Sequence, residues 1–127
     1  MRDVALVILA RAPERGRVKS RLAQDLGDDM ALQVYRSLLA ITARAVSRWP
    51  GPVLLAAAGD HAAFAGSGLE HLPHCEQVQG GLGPRIAAAI QAGLGLAARA
   101  LVIGSDCPDL TMDDLQAVAA LLDSAPV

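Results

Sequence analysis

Five of the 11 basic residues fall in one short stretch, residues 11–22 (RAPERGRVKSRL): Arg11, Arg15, Arg17, Lys19 and Arg21. Lys19 is the only lysine; every other basic residue is an arginine, so a compact point charge is selected at that position. Gly16 lets the backbone come close to a ligand, and a helix start beyond it offers free N–H groups. Together these features suit phosphate oxygens. Without an anion the same stretch reads as a solvated basic loop, in which cations this dense repel one another. A second group lies in residues 101–110 (LVIGSDCPDL), where Asp106 follows a glycine at the end of an apolar run and Pro108 fixes the turn. A carboxylate there suits Mg²⁺ or Mn²⁺, which take one or two carboxylates together with phosphate oxygens and water. Asp106 and Asp109 also fit a simple turn. From residue 101 onward there are five Asp and no Lys or Arg, so cations and carboxylates occupy different segments, as a metal-bound phosphate chain between them requires. The third group is residues 79–85 (QGGLGPR), with Gly80, Gly81 and Gly83 free to approach a base or ribose and Arg85 able to reach phosphate.

Other patterns carry less. The basic loop is no Walker A motif, lacking its earlier glycine and adjacent Gly-Lys pair. Residues 93–98 (GLGLAA) match the dinucleotide fingerprint by letter, but they precede a strand instead of following one, so helix packing is expected. His71, His74 and Cys75 have zinc-like spacing with no second pair to complete four ligands. Ser105 lacks a nucleophile elbow, and Cys107 sits beside a carboxylate that disfavours thiolate.

The elements that must position these groups alternate. Residues 4–10 (VALVILA), 53–58, 75–78 and 100–104 read as strands, the longer ones continuously apolar, as strands covered on both faces are. Residues 28–49 carry apolar positions at Ala31, Val34, Tyr35, Leu38, Ile41, Ala45 and Trp49, one face of a helix that Pro50 ends. Residues 84–98 read as a helix opened by Pro84, and residues 111–123 as a helix with Thr111 and Asp114 in capping-box spacing. Residues 59–73 are loop-like with one short helical turn. Strand–helix repetition with short links gives parallel pairing and right-handed crossovers. The expected fold is α/β: a doubly wound, mainly parallel open sheet with helices on both faces, binding its ligand where strand order reverses.

These motifs, in this order, resemble the radical-SAM/selenodomain-associated transferase family, which has the glycosyltransferase A fold of the nucleotide-diphospho-sugar transferases. Its first motif runs approximately Lys-Ala-Pro-x-Pro-Gly-x-x-Lys-Thr-Arg-Leu. Ala12, Pro13, Gly16, Lys19, Arg21 and Leu22 match it; Arg11, Arg15 and Ser20 depart. Arg15 in place of proline is expected to loosen the loop. A more distant similarity is to guanylyltransferases of cofactor biosynthesis. The resemblance implies that Ala12, Gly16, Arg17, Lys19 and Arg21 hold the nucleotide phosphates, that Gly83 and Arg85 line the base and ribose side, and that Asp106 holds a divalent metal. Lys19 and Asp106 are then the catalytic pair. The implied activity is transfer of a nucleotidyl or sugar group; a non-catalytic nucleotide-binding or assembly module is the alternative. Members of that family continue beyond the last helix into an acceptor segment, so residues 1–127 are expected to form one domain without that portion.

Composition narrows the rest. One domain fits 127 residues, and 53% hydrophobic residues with a mean hydropathy of +0.36 exclude a disordered chain. Aromatics are 2%, so the core is aliphatic and alanine-rich. A net charge of −2 gives no reason to expect nucleic acid or an anionic membrane as partner. Residues 4–10 are too short for a membrane helix and lack signal-peptide flanks, so a cytoplasmic protein is expected, with Cys75 and Cys107 as free thiols. An unpaired edge at the fourth strand is expected to be covered by a second copy of the chain. A single-chain mass in light scattering at high concentration would count against that pairing.

Overall fold

The computed structural model describes residues 3–18, 20–105 and 111–124, of which 20–22 and 122–124 by backbone only. Four strands, β1 (Val4–Arg11), β2 (Val53–Ala58), β3 (His74–Glu76) and β4 (Arg99–Ile103), form one sheet in the order β3-β2-β1-β4, with every pairing parallel. Chain order therefore reverses between β1 and β4. Leu6 of β1 lies opposite Val53 on one side and Leu101 on the other, which makes β1 the interior strand at the reversal.

Alternation along β1 decides the two layers, because successive side chains leave opposite faces of a strand. Val4, Leu6, Ile8 and Ala10 join Leu55 in a core with Tyr35, Leu39 and Val46 of α2 (Asp28–Val46) and Leu115 and Ala119 of α4 (Met112–Ser124). Val7, on the other face, packs with Leu54, Ala56 and Ala89 of α3 (Leu82–Leu94). Val4 to Ile8 are each at most 1% exposed, so the unbroken apolar run follows from burial on both sides. The doubly wound α/β arrangement expected from the sequence is the fold observed.

Departures from the sequence reading have local causes. Residues 20–26 form a short helix, α1 (Ser20–Leu26), within what reads as a loop, because SRLAQDL has too few apolar positions to show a helical period. The buried side of α2 is Ala31, Tyr35, Leu39, Thr42, Ala45 and Val46, and Val34, Leu38 and Ile41 are only half-buried. Thr42 is fully buried because its hydroxyl donates to the Leu38 carbonyl at 3.0 Å, which removes the usual objection to a polar core residue. The chain leaves α2 at Val46, and Trp49 packs from the turn that follows. Helix α3 begins two residues before Pro84, in the first turn where a missing N–H still costs nothing, and ends at Leu94. The capping box of α4 is formed reciprocally: Asp114 N–H donates to Thr111 Oγ1 and Thr111 N–H to Asp114 Oδ2, both at 3.1 Å.

The glycines of residues 93–98 pack, as expected. A Cβ built on Gly93 would lie 2.8 Å from the Ala100 Cβ and 2.9 Å from Val7 Cγ2. Only hydrogen at that position lets α3 sit this close to β1 and β4.

Candidate functional site

The carboxyl ends of β1, β2 and β4 open into a cleft of about 820 Å³, within the range of small-molecule sites. Its rim comes from three segments. The loop after β1 supplies Gly16, Arg17 and Val18; the start of α3 supplies Leu82, Arg85 and Ile86; Gly104 and Ser105 follow β4. Arg11, Tyr35 and Gln77 complete the polar lining. Among the described lining residues there are three arginines and no carboxylate. A charge set of that sign favours an anion.

The loop after β1 is built before any ligand arrives. Ala12 N–H extends the sheet to the Ala58 carbonyl at 2.7 Å, and Arg17 N–H closes a turn on the Glu14 carbonyl at 3.0 Å. Gly16, third in that turn, has φ 79°, which an L side chain rarely adopts. Three side-chain contacts tie the loop to other elements. Glu14 Oε1 accepts from Asp60 N–H at 3.0 Å, beyond β2. Arg15 Nε donates to Asp29 Oδ1 at 2.6 Å, in the first turn of α2. Tyr35 Oη donates to the Arg11 carbonyl at 2.6 Å.

These contacts revise two expectations. Arg15 in place of proline does not leave the loop untied, since the guanidinium is held by Asp29. That hydrogen bond first, then the charge of Asp29 and of Asp28, raises the Arg15 pKa above its ordinary value. Repulsion within the basic stretch is also relieved from inside the molecule at this one residue, because the acidic start of α2 provides the counter-charge. Arg11 and Arg17 still border the cleft. Both partners of the Arg15–Asp29 pair are largely exposed. We expect Arg15→Ala to change loop amide exchange measurably at low salt and hardly at all in 0.5 M salt, where screening has already weakened the pair.

The residues singled out from sequence have separate fates. Gly16, Arg17 and Arg85 come together in the cleft wall. Arg85 Nε is buried and has no hydrogen-bond partner among the described residues. Ala12 is fully buried in the core and does not line the cleft; it supports the loop through its backbone. Gly83, at the exposed start of α3, is also outside the lining, with open space around it. Lys19, Asp106 and the side chain of Arg21 lie outside the described residues. The described residues contain no group of three or more His, Cys, Asp or Glu able to hold a metal. His71 Nε2 stands 3.5 Å from Glu70 Oε1, whereas the His74 ring stacks on His61 with centroids 3.6 Å apart, so the two histidines of the zinc-like spacing have different neighbours.

Several cleft residues carried no sequence signal. Gln77 Nε2 donates to the Ala56 carbonyl at 3.0 Å and the Ala10 carbonyl at 3.4 Å, joining the ends of β1 and β2. Tyr35 reads as a core position of α2, which it is, yet its hydroxyl end reaches the cleft. Leu9, Leu82, Ile86 and Val102 give the remaining wall an apolar surface on which a flat ring could lie. Burial raises the Cys75 thiol above its ordinary pKa. At pH 8 its alkylation in a Cys107→Ser background should therefore run slower than in the unfolded chain; equal rates would contradict the half-buried setting.

No helix among the described residues is long and apolar enough to cross a membrane. Comparison with curated proteins finds no match. A solved structure from Desulfovibrio desulfuricans G20, described as a "putative nucleotide-diphospho-sugar transferase", superposes with a TM-score of 0.85 at 26% sequence identity. The match covers 97% of this chain and 55% of that one, so the chain spans about half the length of its structural relative. The fold is thus nucleotide-diphospho-sugar transferase-like. Residues 38–127 match the family model "Uncharacterized protein conserved in bacteria (DUF2064)", and the chain belongs to that family.

Proposed function

We propose that the cleft binds a nucleotide or nucleotide-sugar by its phosphates, and that the chain is the donor-binding part of a metal-dependent nucleotidyl- or glycosyltransferase. The observation that carries this reading is a cleft at the strand-order reversal, bordered by Arg11, Arg17 and Arg85 and by no described carboxylate. Such crevices are where open α/β sheets take their ligands. Likeness to the solved transferase supports the substrate class. Arg17 and Arg85 would grip phosphate oxygens, and the apolar wall of Leu82 and Ile86 would take the base. Lys19 continues the same loop in sequence, and Arg21 follows in the first turn of α1. Asp106 follows the cleft-lining Ser105 by one residue, which supports it as the ligand of Mg²⁺ or Mn²⁺. Bound there, the ion would neutralise phosphate charge. The arginines contribute in the same sense, as fixed charges already aimed at the group on which charge develops.

Calorimetric titration with GTP, CTP and UDP-sugars, with and without Mn²⁺, tests the reading. Binding that strengthens with Mn²⁺ is expected; no binding by any of them overturns it. Binding without turnover favours a non-catalytic module. Arg17→Ala and Arg85→Ala should each weaken the best nucleotide by about tenfold, the scale of one lost charge-assisted hydrogen bond. A Lys19→Ala variant with wild-type affinity would remove Lys19 from the site.

A further inference from the structure

The pairing of β1 leaves one backbone acceptor at a sensitive place. Alternate residues of a strand turn their N–H and C=O groups toward alternate neighbours. Leu6 N–H and Ala12 N–H both bond to the β2 side, to the Pro52 and Ala58 carbonyls, so the even-numbered residues of β1 face β2. Arg11 is odd-numbered and faces the β4 side. On that side the paired register ends at Ile8 opposite Ile103, three residues earlier. The Arg11 carbonyl therefore opens into the gap between β1 and β4, where the strand order reverses and the cleft lies. An uncapped carbonyl oxygen there would confront the phosphates that the neighbouring arginines attract.

We infer that Tyr35 is a positioning residue of the phosphate site: its hydroxyl engages the Arg11 carbonyl and withholds that oxygen from the bound anion. The inference rests on the nucleotide reading given above and adds a determinant to it. Tyr35 is 5% exposed, its ring is fixed in the core of α2, and its hydroxyl meets the Arg11 oxygen at 2.6 Å. One rigid side chain thus holds the first residue of the basic loop and offsets a backbone acceptor that the strand ladder leaves facing the cleft. The contribution is specific to the anionic part of the ligand. A base or ribose lying along Leu82 and Ile86 gains nothing from it.

The test is Tyr35→Phe, which keeps the ring in the core and removes only the hydroxyl. GDP, CDP and UDP are titrated against wild type and variant, each beside its own nucleoside, and amide exchange of residues 12–18 is followed in the free proteins. The expected result is an approximately tenfold loss for the best diphosphate, a change of less than twofold for its nucleoside, and faster exchange confined to residues 12–18. Equal losses for nucleoside and diphosphate would make Tyr35 a merely structural residue and overturn the inference. So would unchanged diphosphate affinity. If wild type binds no diphosphate, the nucleotide reading itself falls and the selectivity falls with it. If wild type binds and the variant binds equally well, only the role of Tyr35 is lost. Unfolding of the variant in urea at wild-type concentrations separates these outcomes from a general loss of folding.

Discussion

Trp49→Ala is expected to lower the free energy of unfolding by about 3–5 kcal/mol, the range for removing a buried large aromatic residue. The side chain is 7% exposed and packs in the core that includes Val4 and Val46. It is also a bonded residue, because Nε1–H donates to the Val4 carbonyl at 3.0 Å, across 45 positions of sequence. Truncation therefore opens a cavity and leaves a buried acceptor unpaired. Trp49→Phe separates the two effects, since it keeps much of the bulk and removes only the donor; about 1–2 kcal/mol is expected for that variant. Trp49 is the single tryptophan, so urea transitions are followed by far-ultraviolet circular dichroism and not by fluorescence. A loss under 1 kcal/mol for the alanine variant would show that the indole does not close the base of the sheet.

Gly93→Leu should cost about 3 kcal/mol, at the upper end of overpacking penalties. Even a methyl at this position would stand 2.8 Å from Ala100 Cβ and 2.9 Å from Val7 Cγ2, and both neighbours belong to paired strands that cannot recede independently. Helix α3 would have to lift from the sheet, and Arg85 and Ile86 at its cleft end would move with it. Gly83 provides the comparison within the same helix. Nothing lies within 4 Å of a Cβ there, so Gly83→Ala should be neutral or stabilise by up to about 1 kcal/mol through helix propensity. If both substitutions shift the urea midpoint in the same direction by the same amount, spacing between helix and sheet is not what selects glycine at position 93.

How much of this was legible beforehand depended on the range of each interaction. The run VALVILA announces a strand buried on both sides, and Thr111 with Asp114 announces a helix start, because burial and capping act within a few residues. The clustering of Gly16, Arg17 and Arg85 followed from topology alone: segments after β1 and before α3 meet at the carboxyl ends of a parallel sheet. The helix α1 was hidden because its seven residues have no apolar period to read. Glu14, Tyr35 and Gln77 were hidden for another reason. Each bonds a backbone group 21 to 67 positions away, and no local pattern encodes which carbonyl or N–H will be left over at a strand end. Arg15 shows the same limit, since the partner that ties it down is Asp29, fourteen positions on, in the first turn of α2.

Of the four strands β1 comes first along the chain, and its edge partner β4 follows about ninety residues later. A ribosome-bound chain that has emerged only through β2 and β3 already owns the basic loop but has no opposite wall for it. Completion of the crevice thus coincides with the longest-range pairing, the kind that slows folding most. Affinity for the nucleotide proposed above should accordingly appear late and abruptly during refolding, as a reporter of β4 docking, and that ligand, when added, should slow unfolding without hastening the earlier collapse.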